Sequence, residues 1–147
     1  MRSLTILLVL AICFVAGCAR EITFRVVDSE TGKTLRDVRV TRVVTRSRWH
    51  LIFGWLEGPG EIASPFDQGT VSFESVGPDE TFYIETPRGY QDAIAATRGS
   101  YLFLYSPKPA DLDERDYDAI INHPGVQRLP LQQQTFITVF ALRDEDQ

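Results

Sequence analysis

The sequence predicts an all-β fold: an antiparallel Greek-key β-sandwich of about seven strands, with one short helix in 111–122 and a removable N-terminal segment. Three observations carry this prediction. Hydrophobic residues recur with period two over most of the chain from Glu21 onward. Clusters of Gly, Pro, Asp and Ser interrupt that alternation at short intervals, as turns between antiparallel strands require. The chain has 147 residues, 44% hydrophobic and 24% charged, an ordinary globular composition for one domain. A chain of this size buries roughly 68–70% of its unfolded surface, so it needs no disulfide staples.

The N-terminus comes first. Met1-Arg2-Ser3 carries a positive charge, and an apolar run follows from Leu4 to Ala16, broken only by Thr5. That run is shorter than the roughly 20 residues of a spanning helix, and with its basic start it has the form of a secretory signal peptide. Val15-Ala16-Gly17-Cys18 resembles a bacterial lipobox, with Val15 in place of the more usual Leu. The resemblance implies cleavage before Cys18 and a diacylglycerol thioether on its sulfur. The expected organisation is therefore a signal peptide over 1–17, a lipidated cysteine with a short tether over 18–20, and a β-sandwich over 21–147. Cleavage removes Cys13 and Arg2, leaving no disulfide and a net charge of −6. Two acyl chains give stable membrane attachment where one is marginal. Ala19 and Arg20 follow the cysteine. Under enteric-type sorting, where an Asp there retains the protein on the inner membrane, they point to the outer membrane of the bacterial cell envelope.

The strands follow in order. Ile22, Phe24 and Val26 alternate with Thr23 and Arg25, and Asp28 to Lys33 is a turn cluster. Val38 and Val40 mark the second strand, Val71 and Phe73 the third, Phe82 and Ile84 the fourth. Ile94 to Thr97 and Tyr101 to Tyr105 are strands separated by Arg98-Gly99, and Thr135 to Leu142 is the last, β-branched and aromatic throughout. Ala110 to Ile121 differs. Asp111 with Glu114 has the spacing of a capping box, acidic residues sit in the expected first turn, and His123-Pro124-Gly125 is a stop.

Ile22 to Val40, with its Asp28-Ser29-Glu30-Thr31-Gly32 turn and its Val38-Arg39-Val40, resembles the opening of a carboxypeptidase regulatory-like domain. Asp67 to Phe73 and Gly89-Tyr90 are similar to later motifs of that family. The match covers roughly residues 21–97. It implies a transthyretin-like (prealbumin-like) sandwich and an accessory, adhesive or structural module with no catalytic residues to carry over. The insertion over 45–66 and the stretch 106–134 have no counterpart in the family pattern. Gly32 and Gly69 are expected to supply positive φ.

The insertion holds both tryptophans, Trp49 and Trp55, with Arg46, Arg48, His50 and Phe53. Stacking of Trp on sugar faces with Arg46 and Arg48 on acidic groups is one reading, and membrane contact at headgroup level is another. The favoured one is that Trp49, Phe53 and Trp55 cover an open end of the sandwich. Asp111, Asp113, Asp116 and Asp118 suggest calcium, but Asp116 and Asn122 stand where an EF-hand needs Gly and Glu. A solvated, capped helix start is the expectation there. His50 and His123 lack the spacing of a zinc pair. No Gly-x-Ser-x-Gly, Ser-x-x-Lys, phosphate loop or dinucleotide fingerprint occurs. The net charge of −5 argues against nucleic acid.

The expectation is a non-enzymatic cell-envelope lipoprotein without cofactors or metal, tethered to a membrane through Cys18. It would serve structural or protein–protein contacts. The alternative is a binding module for carbohydrate or another envelope ligand through Arg46, Arg48, Trp49 and Trp55. A small hydrolase is the third reading, with no nucleophile–base constellation to support it.

Overall fold

The computed structural model of the chain describes residues 20–44, 61–66 and 69–144. The elements are β1 (Glu21–Asp28), β2 (Val38–Val44), β3 (Glu61–Phe66), β4 (Val71–Phe73), β5 (Glu80–Glu85), β6 (Ala93–Arg98), β7 (Tyr101–Tyr105), α1 (Tyr117–Asn122), β8 (Gln127–Pro130) and β9 (Gln134–Ala141). They form two sheets. The smaller has the order β4-β1-β9 and the larger β3-β2-β5-β6-β7-β8. The fold is mostly β with one short helix.

Alternation explains which faces meet. Ile22, Phe24 and Val26 of β1 and Ile137, Val139 and Ala141 of β9 point the same way. They share one buried cluster with Val38 and Val40 of β2, Phe82 and Ile84 of β5, Ala93 and Ala95 of β6, and Leu102 and Leu104 of β7. Phe82 bridges the sheets, with its ring centroid 5.2 Å from both Phe24 and Phe73. β6 is buried on both faces, because Ile94 and Ala96 join a second cluster with Tyr105, Leu112, Ile120 and Ile121. That cluster seats α1 on the outer side of the larger sheet.

Three expectations change. The sheets are not wholly antiparallel: β9 runs parallel to β1 over its whole length, from Glu21↔Gln134 to Asp28↔Ala141. The chain leaves β8 at the edge of the larger sheet and enters the smaller one beside the start of β1, where the Glu21 amide donates to Gln133 O (2.8 Å). Two strands entering at one end must run side by side.

There are also two strands beyond the seven. Residues 61–66 of the expected insertion are β3, paired antiparallel with β2, and β8 lies within 106–134. The helix begins at Tyr117 rather than near Asp111. Asp116 is its cap, accepting from the amides of Asp118 (3.0 Å) and Ala119 (3.3 Å). The expected box fails because Glu114 is taken elsewhere. Its carboxylate meets Lys108 Nζ at 2.7 Å and its carbonyl accepts from the Tyr83 hydroxyl.

Both expected turn glycines have positive φ, Gly32 at 67° and Gly69 at 86°. A Cβ on Gly69 would also stand 2.9 Å from Thr34 Cγ2, so a side chain there is strained by the backbone and displaces Thr34.

Candidate functional site

The polar chemistry of the described residues gathers at the two ends of β1. At the end where the chain enters, Arg20 O accepts from the Val76 amide (2.9 Å), and the Arg20 guanidinium donates to Gly99 O and Ser100 Oγ. An open cleft of about 890 Å³ lies there, lined by Arg20, Glu21, Glu74, Ser75 and Gln132 to Gln134. Its walls are polar and its charges mixed.

Behind it sits a buried ion pair. Arg42 grips Glu80 with two parallel bonds, Nε to Oε2 at 2.8 Å and Nη2 to Oε1 at 2.7 Å. Arg42 also donates to the carbonyls of Glu74 and Ser75, both at 3.0 Å. Glu80 Oε1 accepts from the Gly77 amide at 2.7 Å. Thr97 completes the knot: its hydroxyl accepts from the Glu80 amide (3.0 Å) and donates to Gly77 O (2.9 Å). The Tyr117 hydroxyl reaches Thr97 O and Asp79 Oδ1 from α1. Burial, with the negative charge of Asp79, pushes that phenol above its ordinary range.

At the far end of β1, Asp28 is buried at 3% exposure, with all four acceptor positions of its carboxylate filled. Oδ1 accepts from the amides of Glu30 (2.8 Å) and Thr31 (3.2 Å). Oδ2 accepts from Arg143 Nη2 (2.7 Å) and the Tyr90 hydroxyl (2.9 Å). Arg143 also meets Glu30 at 3.1 Å. Hydrogen bonding from the Arg143 guanidinium holds the Asp28 carboxyl well below the usual carboxylate range, against the opposing effect of burial. With its four acceptor positions occupied, Asp28 clamps the turn to the chain after β9.

The two pairs share one origin. Arg42 continues the inward row of Val38 and Val40, and Glu80 that of Phe82 and Ile84. Asp28 continues the row of Ile22, Phe24 and Val26, and Arg143 that of Val139 and Ala141. Each end of the core is closed by charges placed at core-facing positions. The alternation extends to those positions, but it carries no sign of the partners, which lie 38 and 115 residues apart.

Of the residues singled out from sequence, Cys18, Arg46, Arg48, Trp49, Trp55 and His50 lie outside the described residues. The four aspartates around α1 are engaged separately. Asp116 caps the helix and Asp113 accepts from the Arg115 amide. Asp111 faces His123 Nε2 at 3.4 Å, and Asp118 faces Arg98 at 3.9 Å. No group of three His, Cys, Asp or Glu residues gathers to hold a metal among the described residues. His123 packs edge-on against Tyr105, whose hydroxyl donates to Ile120 O (2.6 Å) and His123 O (3.0 Å). No family model, curated protein or solved structure matches this chain.

Proposed function

We propose that this is a non-enzymatic lipoprotein of the bacterial cell envelope, held by an acylated Cys18 and carrying a transthyretin-like Greek-key sandwich for structural or protein–protein contacts. The observation that carries the reading is the short distance between anchor and body. Val15-Ala16-Gly17-Cys18 is followed within three residues by Glu21, the first residue of β1. A three-residue leash reaches about 10 Å when extended. Such a leash holds the entry end of the sandwich, with Arg20 and its polar cleft, against the bilayer, and confinement raises the local concentration of whatever the domain contacts.

The sheet pairings support the fold part of the proposal. β1 pairs with β4 and β2 with β5 while β3 and β4 lie in different sheets, the sheet-switching of Greek-key links. No described helix is long and apolar enough to cross a membrane.

Mass spectrometry of the protein isolated from a bacterial envelope tests the anchor. The expected product begins at Cys18 and carries a diacylglycerol thioether, and Cys18→Ser abolishes both the mass increment and the cleavage. An unmodified thiol on the isolated protein overturns the proposal.

One observation favours the glycan or envelope-ligand reading. β2 and β3 are adjacent antiparallel strands, paired from Val38↔Phe66 to Val43↔Glu61. Residues 45–60 therefore connect a single hairpin, far longer than the 2–5 residues such a link needs. Both tryptophans fall there. Quenching of Trp fluorescence by envelope glycans, lost in Trp55→Ala, supports that reading, and an unchanged spectrum removes it.

A further inference from the structure

We infer that the open edge of β9 binds a second copy of this chain, strand against strand, about a two-fold axis at Phe136. The described sheets have four edges: β3, β8, β4 and β9. Three carry the usual defences against edge pairing. β3 contains Pro65, β4 has three residues, and β8 has four, with Arg128 and a terminal Pro130. β9 has eight residues, Gln-Thr-Phe-Ile-Thr-Val-Phe-Ala, without proline, glycine or charge.

The hydrogen bonds define which part of that edge is open. The Glu21 amide donates to Gln133 O and the Ser29 amide to Ala141 O, so the odd-numbered residues of β9 face β1. The even-numbered residues direct their backbone groups away from it. Toward its C-terminal end this edge is closed: Ser106 Oγ donates to Phe140 O (2.6 Å) and the Gln91 amide to Leu142 O (2.9 Å). Gln134, Phe136 and Thr138 form the open stretch among the described residues. All three are exposed, and Phe136, at 78%, is more exposed than Phe140, Leu142 or Tyr101.

This stretch is self-complementary. An antiparallel copy centred on Phe136 sets Phe136 against its own counterpart and Gln134 against Thr138. The amides and carbonyls of the open stretch find partners, the two aromatic rings meet, and no like charges face each other. A lipid surface would cover the phenylalanine face but leave those backbone groups unpaired. The two smaller sheets become one six-stranded sheet. Because Glu21 lies opposite Gln134, both chain entries fall beside the axis. The inference does not rest on the lipid anchor.

Sedimentation equilibrium of the full chain in mild detergent, with hydrogen exchange on the same samples, tests it. The expected result is a dimer that dissociates on dilution, with the Phe136 and Thr138 amides protected at least tenfold in the dimer. Phe136→Lys should be monomeric at every concentration, and Ser72→Lys, on the short β4 edge, should dimerise as the parent does. If Phe136→Lys fails to fold, Phe136→Cys combined with Cys13→Ser and Cys18→Ser keeps the test: a disulfide-linked dimer under mild oxidation supports the inference and a monomer overturns it. A parent chain monomeric at all concentrations, a dimer that survives Phe136→Lys, or equal disruption by Ser72→Lys each overturns it. Amide protection that appears only on adding phosphatidylcholine vesicles does so too.

Discussion

The two ends of the core are closed by the same device under different conditions. At the entry end, Glu80 is buried and Arg42 nearly so, with side-chain exposures of 4% and 11%. At the far end, Asp28 is equally buried at 4%, but Arg143 is 46% exposed. The entry pair has largely left water and depends on its own geometry, two parallel bonds and a ring of backbone partners, to offset desolvation. The far pair keeps one partner in water, and its buried member takes half of its hydrogen bonds from local turn amides and the rest from Arg143 and Tyr90. The difference teaches that a charge at a core-facing strand position is tolerated by two routes. One is near-complete mutual burial. The other is a local turn that satisfies one charge while its partner stays wet.

The comparison is broken most directly at Glu80. Glu80→Ala leaves the Arg42 guanidinium buried without its counter-charge, an outcome that costs about 3–5 kcal/mol where a buried pair loses one member. Urea denaturation measures it. Replacing both partners, Arg42→Met with Glu80→Leu, should recover much of the loss, since apolar residues of similar volume incur no charge desolvation. A single-variant cost no larger than that of an exposed pair would show that water reaches this end, and the contrast between the two ends would disappear.

Asp28→Asn should have the next largest effect, and its signature is its pH dependence. The Asp28 carboxyl titrates below its ordinary range in the folded chain. Its contribution to stability is therefore complete above the unfolded value, about pH 3.9, and is lost as pH falls through the folded value. The melting-temperature gap between parent and Asp28→Asn should be constant through neutral pH and should narrow only on acidification below about pH 4. A gap that does not narrow would remove Arg143 as the source of the stabilisation.

How much of this was legible in the sequence depends on how local each signal is. Alternation in β1, β2, β5 and β9 was readable, because one face of each strand packs on a core and the other faces outward or toward a neighbouring layer. β3 and β8 were not: each contains a proline, Pro65 or Pro130, and proline weakens a strand pattern although an edge strand tolerates it where its amide side faces away from the ladder. The parallel β1–β9 pair was hidden because strand direction is fixed by the route of the chain after β8, not by the residues of β9. The helix cap moved from Asp111 to Asp116 because Lys108 and Tyr83, both outside the local window, engage Glu114. The polar ends follow the same rule. Arg42 and Glu80 stand at inward positions of their strands, a signal available in the alternation, while their pairing is a property of the β2–β5 register.

The smallest expected effect sharpens the contrast by moving the pH scale in the other direction. Tyr117 ties α1 to the entry end through Thr97, the residue that also holds the Glu80 amide. Tyr117→Phe removes one hydroxyl and should cost about 1 kcal/mol at neutral pH. The Tyr117 phenol titrates above its ordinary range. Its contribution is complete below the unfolded value, about pH 10, and is lost as pH rises toward the folded value. The gap between parent and Tyr117→Phe should therefore close only in alkali, where the Asp28→Asn gap is unchanged. Amide exchange corrected for intrinsic chemistry gives the local readout. Acid should open the Gln91 amide, bonded to Leu142 O at the far end, before the Val76 amide, bonded to Arg20 O at the entry end, and alkali should reverse that order. If both amides open together at both extremes, the two ends are one cooperative unit and the difference in burial between their ion pairs has no consequence for how the molecule comes apart.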